Sequence, residues 1–198
     1  DKGNRGGGAS RNLGMKMATG DYIAFLDADD FYLPNRFEAE KKLFLQLEVD
    51  GVYNAIGVHY YTEKAKEQYF SVFQNKLTTV YHKTTPENVF PGLLNMKGSF
   101  GLFSLVGLTI RKKALKKMDA LMKTNLRLHQ DSDFIIRLSY YANLYAGSIS
   151  EAVALRGVHE NNRITKVDTK QIKPASTRVL LWQELNNWAE KQPNISDD

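Results

Sequence analysis

The pattern of apolar and polar positions changes repeatedly along the chain between helical spacing and short continuous apolar runs. Helical spacing and helix start and stop signals predict helices at residues 9–18, 34–50, 86–94, 111–127, 131–142 and 174–191. Apolar runs predict strands at residues 22–26, 52–61, 105–110 and 152–158, and a hairpin at residues 69–73 and 78–82. This alternation of strands with helices predicts an α/β fold, in which helices cover a sheet.

The apolar pattern of two of these segments also predicts which of their faces are buried. Residues 22–26 are apolar at consecutive positions, which is typical of a strand in a parallel sheet that is covered on both faces. The last predicted helix carries an apolar stripe that we expect to face the protein interior, formed by Val179, Trp182, Leu185 and Trp188.

Length and composition limit the class of protein. The 198 residues are enough for one good-sized domain or two small ones, and 42% apolar with 25% charged residues is an ordinary globular composition. No apolar run in the sequence is long enough to span a bilayer. The absence of cysteine excludes disulfides and thiolate metal sites and fits a reducing compartment, so we expect a cytoplasmic protein.

The formal charge of +5 comes largely from residues 111–127, which hold seven basic residues and one acid. One interpretation is a solvated helix face, and the other is a patch for peripheral contact with a membrane surface or a lipid phosphate. Aromatic residues do not interleave with these basic residues as a base-stacking surface requires. We therefore expect no nucleic-acid partner.

Three carboxylates follow the predicted strand 22–26: Asp27, Asp29 and Asp30. In open α/β sheets, ligands bind beyond the carboxyl ends of strands, and side chains two residues apart in extended backbone point to the same side. Asp27 and Asp29 are therefore suited to share Mg²⁺ or Mn²⁺ with a substrate phosphate, because these ions often take only one or two protein carboxylates. The alternative is that Asp29 or Asp30 caps the helix that follows Pro34.

A run of three glycines, Gly6 to Gly8, precedes the first predicted helix. A helix N-terminus of this kind can bind an anion, but no Lys-Ser or Lys-Thr pair follows and the spacing is not that of a dinucleotide-binding fingerprint. We interpret the run as a flexible entry loop, with contact to a nucleotide as the less favoured alternative.

Residues 4–38 together resemble the middle of a family 2 glycosyltransferase with the GT-A fold. The family pattern is Asn-x-Gly, Ala/Ser-Arg-Asn-x-Gly, Ala-x-Gly-x-Tyr-Ile-x-Phe-Leu-Asp-x-Asp-Asp and then Pro. The matching residues are Asn4, Gly6, Ser10, Arg11, Asn12, Gly14, Ala18, Gly20, Tyr22, Ile23, Phe25, Leu26, Asp27, Asp29, Asp30 and Pro34. The resemblance implies a layered sheet with helices on both faces, and it extends more loosely to about residue 166.

Enzymes of this family transfer a sugar from a nucleotide diphosphate donor to an acceptor hydroxyl, usually with inversion. By this resemblance Arg11 would lie near the nucleotide, Asp27 would hold the ribose or the donor sugar, and Asp29 would bind the metal that bridges the diphosphate. A carbohydrate or lipid-linked acceptor is implied as well, together with a role in cell-envelope polysaccharide or glycoconjugate assembly.

The resemblance also assigns residues to the catalytic step. Asp131 matches the family's general base at the start of a helix, although Gln130 stands where the family usually has Glu. The alternative is that Asp131 or Asp133 only caps that helix. His159 matches a late segment in which some members place a histidine near the metal or the diphosphate, and Arg163 is a weaker candidate for a phosphate contact. A hydrogen-bonded structural role is the alternative for His159.

The resemblance implies that residues 1–170 form part of a GT-A domain and that residues 171–198 add a C-terminal helix and tail. The family's first strands would precede residue 1, which predicts an uncovered sheet edge and weak donor binding. Two other functions stay open: a metal-dependent nucleotidyltransferase, which would release pyrophosphate, and a truncated module that binds nucleotide sugars without catalysis.

Overall fold

The computed structural model describes residues 6–46, 48–72, 77–95, 100–126, 128–160 and 174–195. The helices are α1 Gly7–Met17, α2 Glu38–Leu43, α3 Glu63–Val72, α4 Val89–Leu93, α5 Gln130–Tyr141 and α6 Pro174–Ala189. The strands are β1 Tyr22–Ala24, β2 Phe31–Tyr32, β3 Gly51–Tyr53, β4 Ile56–Tyr60, β5 Leu108–Arg111, β6 Leu144–Ala146 and β7 Ala154–Val158. Short 3₁₀ helices occur at Pro86–Asn88, Leu105–Gly107 and Lys112–Lys117.

A four-stranded sheet in the order β1-β5-β3-β6 carries helices on both faces. Side chains alternate along β5, so Leu108 and Ile110 join the main core with Phe134 of α5. Between them, Thr109 points to the opposite face, where its hydroxyl donates to the Glu40 carboxylate of α2 at 3.1 Å. The predicted α/β layering is therefore confirmed.

A three-stranded sheet in the order β2-β7-β4 is covered differently. On one face, Val58 and Tyr60 of β4 pack with Tyr69 of α3. The opposite face presents exposed aromatic side chains, among them Phe31 of β2. The two sheets are connected directly by the turn at residues 27–30, because β1 belongs to the first sheet and β2 to the second.

The last helix, α6, packs on α5 through a satellite cluster that includes Leu181, Leu185, Trp188 and Ile136. Helices near residues 9–18, 131–142 and 174–191 were predicted correctly, but the stripe of α6 was half wrong. Trp182 is 47% exposed, because the buried face follows the i, i+4, i+7 spacing of residues 181, 185 and 188. The domain boundary predicted at residue 170 lies outside the described residues.

Three strand predictions were wrong because long-range contacts decide the local conformation. β1 pairs antiparallel with β5 at the edge of its sheet, rather than inside a parallel sheet. The strand predicted at 52–61 is split between the two sheets, since the Asn54 side chain donates to the Gly107 carbonyl and accepts from the Ser148 N–H. Residues 69–72, predicted as part of a hairpin, end helix α3.

Two predicted helices are also shorter than expected. The helix predicted at 34–50 is limited to α2, Glu38–Leu43. In the described part of the basic segment, residues 111–126, Arg111 ends strand β5 and Lys112–Lys117 form a 3₁₀ helix. A longer helix does not form there, because side chains capture the backbone groups that it would need. Arg137 donates to the carbonyls of Ala120 and Leu121, and Asn12 pairs with both backbone groups of Met122.

Candidate active site

The acidic turn after β1 is tied to strand β7 by its most buried carboxylate. Asp30 is 9% exposed, and its Oδ1 accepts the Gly157 N–H at 3.0 Å. Burial raises the pKa of the Asp30 carboxyl, and the charges of Asp27 and Asp29 raise it further. Asp30 therefore anchors the turn, and the prediction that Asp29 or Asp30 caps the following helix is wrong, since the N-cap position of α2 is Phe37.

Strand β7 approaches the turn so closely that a side chain at Gly157 would collide with it. A Cβ atom built on Gly157 would lie 1.9 Å from the Asp29 carbonyl oxygen. This approach places His159, two residues further on, beside the acidic turn. The Nε2 atom of His159 lies 3.5 Å from Oδ2 of Asp29, and each of the two side chains is 39% exposed.

Asp27 has a different partner, Arg11 of helix α1. The Arg11 Nη2 group donates to both carboxylate oxygens of Asp27, at 2.6 and 2.8 Å. The structure thus brings together the two residues that were assigned to the nucleotide. It also gives the Asp27 carboxylate a cationic partner within the protein, while sharing of one cation by Asp27 and Asp29 stays a prediction.

Asp131 lies in the first turn of α5 with an exposed side chain. The helix begins after His129, which has a left-handed φ of 63° and makes no side-chain capping hydrogen bond. Neither acid acts as the cap that sequence allowed: Asp133 is fully buried and pairs with Arg137 at 2.6 Å. Among the described residues, the Asp131 carboxylate takes part in no hydrogen bond or ion pair, so it is accessible for proton transfer.

Gln130 joins the start of α5 to the start of α1. Its Oε1 accepts the Gly8 N–H at 2.8 Å, which satisfies one of the backbone donors that the first turn of a helix leaves unpaired. The contact depends on glycine, because a Cβ on Gly8 would lie 2.8 Å from the Gln130 amide carbon. Gly7 and Gly8 are therefore part of α1 rather than an entry loop, and they lie beside the residue that precedes Asp131.

The partly exposed pair Asp29 and His159 fits one side of a divalent-cation site. Its oxygen and imidazole donors suit Mn²⁺, or Mg²⁺ through the carboxylate, and such ions take remaining ligands from phosphates and water. No group of three or more Asp, Glu or His side chains that could hold a metal occurs in the part of the chain that the structure describes. Arg163 lies outside the described residues.

A comparison with known protein families decides which family this arrangement belongs to. The model of Glycosyl transferase family 2 matches residues 1–106, which is just over half of the chain. The chain belongs to glycosyltransferase family 2. The resemblance seen in residues 4–38 is thereby confirmed.

Curated relatives of this family 2 member include two proteins that are described as uncharacterized glycosyltransferases. One from Haemophilus influenzae is 24% identical over 172 residues, covering 87% of this chain and 54% of the relative. One from Nostoc sp. is 26% identical over 180 residues, covering 89% of this chain and 52% of the relative. The chain thus spans about half the length of these two relatives.

Solved structures with a similar fold include S. aureus TarS. TarS 1–349 in complex with UDP-GlcNAc matches with a TM-score of 0.56 at 15% identity, covering 94% of this chain and 54% of that one. The same fragment in complex with UDP matches with a TM-score of 0.54 at 17% identity. These likenesses confirm the GT-A fold predicted for this family 2 chain.

Three features of the family 2 site could not be found from sequence. Gly157 and the buried role of Asp30 depend on the approach of β7, and no local pattern marks either of them. His59 was not named as a candidate residue, and its ring lies 5.3 Å from that of Phe31, next to the acidic turn. The two-residue spacing of His59 and Tyr61 in a predicted strand was the available signal that these two rings share a face.

The basic segment 111–127 of this family 2 chain uses much of its charge internally. Arg111 and Lys112 donate to backbone carbonyls, Lys117 pairs with Asp50 at 2.6 Å, and Lys123 pairs with Glu184 at 2.8 Å. Lys113 and Lys116 are exposed, and Arg127 lies outside the described residues. None of the described helices is both long and apolar enough to cross a membrane.

A cleft of about 360 Å³ lies between α2 and the turns that follow β6, and no residue of the acidic turn lines it. Its lining includes Asn35, Glu38, Lys42, Lys83, Gly147 and Glu151. None of the predicted site residues contributes to it. The candidate active site of this family 2 member is therefore identified by its ionisable side chains and their contacts, rather than by this cleft.

Proposed function

We propose that the protein is an inverting glycosyltransferase, which moves a sugar from a nucleotide diphosphate donor to an acceptor hydroxyl in cell-envelope polysaccharide or glycoconjugate biosynthesis. The observation that carries the proposal is the accessible carboxylate of Asp131. It stands at the start of a helix that Gln130 ties to the first turn of α1, the helix that carries Arg11.

In this proposal Asp131 is the general base. Its carboxylate accepts the proton of the acceptor hydroxyl while the hydroxyl oxygen bonds to the anomeric carbon. The bond between that carbon and the diphosphate oxygen breaks at the same time, and the nucleoside diphosphate leaves from the opposite face. Attack from the face opposite the leaving group inverts the anomeric configuration.

Donor binding is assigned to Arg11, Asp27 and Asp29. The short contact of Arg11 with Asp27 orients both side chains, so that Asp27 can accept hydrogen bonds from ribose or sugar hydroxyls. Asp29 and His159 would hold a divalent cation, which supplies positive charge to the leaving diphosphate. TarS was crystallised with UDP and with UDP-GlcNAc, so UDP-GlcNAc is the first donor to test.

The decisive experiment compares Asp131→Asn with Asp21→Asn, a matched change at an exposed aspartate in the turn before β1. UDP release from UDP-GlcNAc is measured with water as acceptor, and NMR records the anomeric configuration of the released sugar. We expect Asp131→Asn to lower kcat by about 10²- to 10⁴-fold relative to the wild type. The wild type should release the β-sugar from the α-linked donor, because transfer inverts the anomeric configuration. Undiminished turnover in Asp131→Asn, or release of pyrophosphate, would refute the proposal.

Peripheral membrane contact through residues 111–127 stays a weaker part of the proposal. Its support is the pair of exposed lysines, Lys113 and Lys116. In a sedimentation assay with vesicles that contain phosphatidylserine, the protein should pellet with the vesicles at low salt and stay in the supernatant at high salt. Binding that is unchanged in the Lys113→Ala, Lys116→Ala double variant would exclude this surface.

A further inference from the structure

One face of the three-stranded sheet carries a small cluster of exposed aromatic side chains, which we call the aromatic face: Phe31, His59 and Tyr61. The Phe31 and Tyr61 side chains are 40% and 48% exposed. The His59 ring meets the other two edge to face, with centroids 5.3 Å from Phe31 and 5.0 Å from Tyr61. The three rings thus form one continuous surface instead of scattered exposed residues.

The aromatic face is continuous with the candidate active site. The Tyr61 ring lies 6.1 Å from the ring of His159, the residue beside Asp29. The Tyr61 hydroxyl donates to the Asp29 carbonyl oxygen at 3.4 Å. Pairing of β4 with β7 sets Gly157 opposite His59, so β7 places no side chain at this position between the Tyr61 ring and the Asp29 carbonyl oxygen.

We propose that the aromatic face binds a pyranose ring of the acceptor carbohydrate. The proposal rests on the proposed glycosyl transfer. The faces of aromatic rings are electronegative and attract the slightly positive C–H groups on one side of a sugar ring. Rings that are already held by one another also lose little conformational freedom when a ligand binds.

The position of the aromatic face favours an acceptor sugar over the nucleobase of the donor. Arg11, which we assign to nucleotide binding, pairs with Asp27 at the β1 end of the acidic turn. The aromatic face instead contacts Asp29 through Tyr61, and its other residues lie on β2 and β4. A stable protein partner is disfavoured, because three rings supply far less area than the roughly 800 Å² per partner of a standard interface. A sugar ring matches the size of the cluster.

The test measures binding of simple glycosides to the protein, with saturation-transfer NMR as the readout. The probes are the methyl β-glycosides of glucose, galactose and N-acetylglucosamine, with uridine as the nucleobase probe and glycerol as a polyol without a ring. We expect saturation of the ring C–H protons of at least one glycoside. The Kd should rise about 2- to 10-fold in Phe31→Leu and in Tyr61→Leu.

Two control variants separate stacking from other effects. Tyr61→Phe keeps the ring and removes only the hydrogen bond to Asp29, so it should bind glycosides like the wild type. Tyr81→Leu removes a 65% exposed tyrosine that makes no ring contact with the aromatic face among the described residues, and it should also bind normally.

Four results would overturn the proposal: no saturation of any glycoside, unchanged Kd values in Phe31→Leu and Tyr61→Leu, equal weakening in Tyr81→Leu, or preferential binding of uridine to the aromatic face. The assay needs neither donor nor turnover. A negative result therefore leaves glycosyl transfer standing, and failure of the Asp131 experiment leaves the glycoside result standing.

Discussion

The two sheets of this molecule differ in how their faces are covered. The four-stranded sheet has α5 on one face, packed through Phe134, and α2 on the other, bonded through Glu40 and Thr109. The three-stranded sheet has α3 on one face and exposed aromatic rings on the other. Within the part of the chain that the structure describes, the second sheet therefore keeps one face open, and this is the face that we propose for recognition.

Both sheets contribute to the acidic turn, and each gives it a different kind of support. In the first sheet, strand β1 runs toward the turn and places Asp27 beside Arg11. From the second comes the close approach of β7, which holds Asp30 and brings His159 to Asp29. The candidate active site therefore lies at the turn where the two sheets meet, between β1 and β2.

The largest difference between the sheets should appear in stability. Phe134→Ala removes a fully buried ring from the core of the four-stranded sheet and should lower the free energy of unfolding by about 3–5 kcal/mol. Phe31→Ala, on the open face, should change it by no more than about 0.5 kcal/mol. Urea denaturation followed by circular dichroism measures both values. Similar losses in the two variants would mean that the aromatic face is part of the core.

A smaller effect is expected where β7 meets the acidic turn. Gly157→Ala forces a methyl group against the Asp29 carbonyl oxygen and should lower the free energy of unfolding by about 1–3 kcal/mol. Donor turnover should fall with it, because His159 moves away from Asp29. The matched control is Gly14→Ala in α1, where a Cβ meets no atom within 4 Å and where about 0.5–1 kcal/mol of stabilisation is expected. Equal behaviour of the two variants would contradict the close approach.

The smallest effect concerns pH and the border between α5 and α6. Burial lowers the pKa of His129 below its ordinary value of 6.5, and the charge of Arg178 lowers it further, while Asp131 acts in the opposite direction. Since the unfolded chain binds the proton more readily, stability is full above pH 6.5 and falls as the pH drops through the lowered pKa. His129→Asn keeps a residue that tolerates positive φ and should lose less stability between pH 7.5 and 5.5. The urea midpoints of the wild type and of His129→Asn are measured at both pH values. An identical change of midpoint with pH in the two proteins would rule out this contribution of His129.

Prediction from sequence succeeded where a pattern is local. Helix α5 carries its apolar face at helical spacing, and helix α1 ends near Gly20, so both were predicted within a few residues. It failed where one residue depends on another that is distant in the chain. Arg137 captures carbonyls near residue 120, which prevents a helix that the local pattern favours.

The same division applies to the candidate site. Asp27 and Asp29 were named from the acidic pattern and the family resemblance together, and Arg11, Asp131 and His159 from the resemblance. The structure places Arg11 against Asp27 and His159 against Asp29. Sharing of one cation by Asp27 and Asp29 stays a prediction, and the contact of Asp27 with Arg11 is a feature that the local motif did not reveal.

By itself, the sequence determined the α/β class, because this depends on short-range periodicity, and it pointed to the family through the motif resemblance in residues 4–38. Only the tertiary structure decided which groups meet. Gln130 caps the turn at Gly8 from 122 residues away, and Gly157 meets the acidic turn across more than 120 residues. Such contacts form when sheets and helices pack, and packing brings together backbone that no local pattern connects.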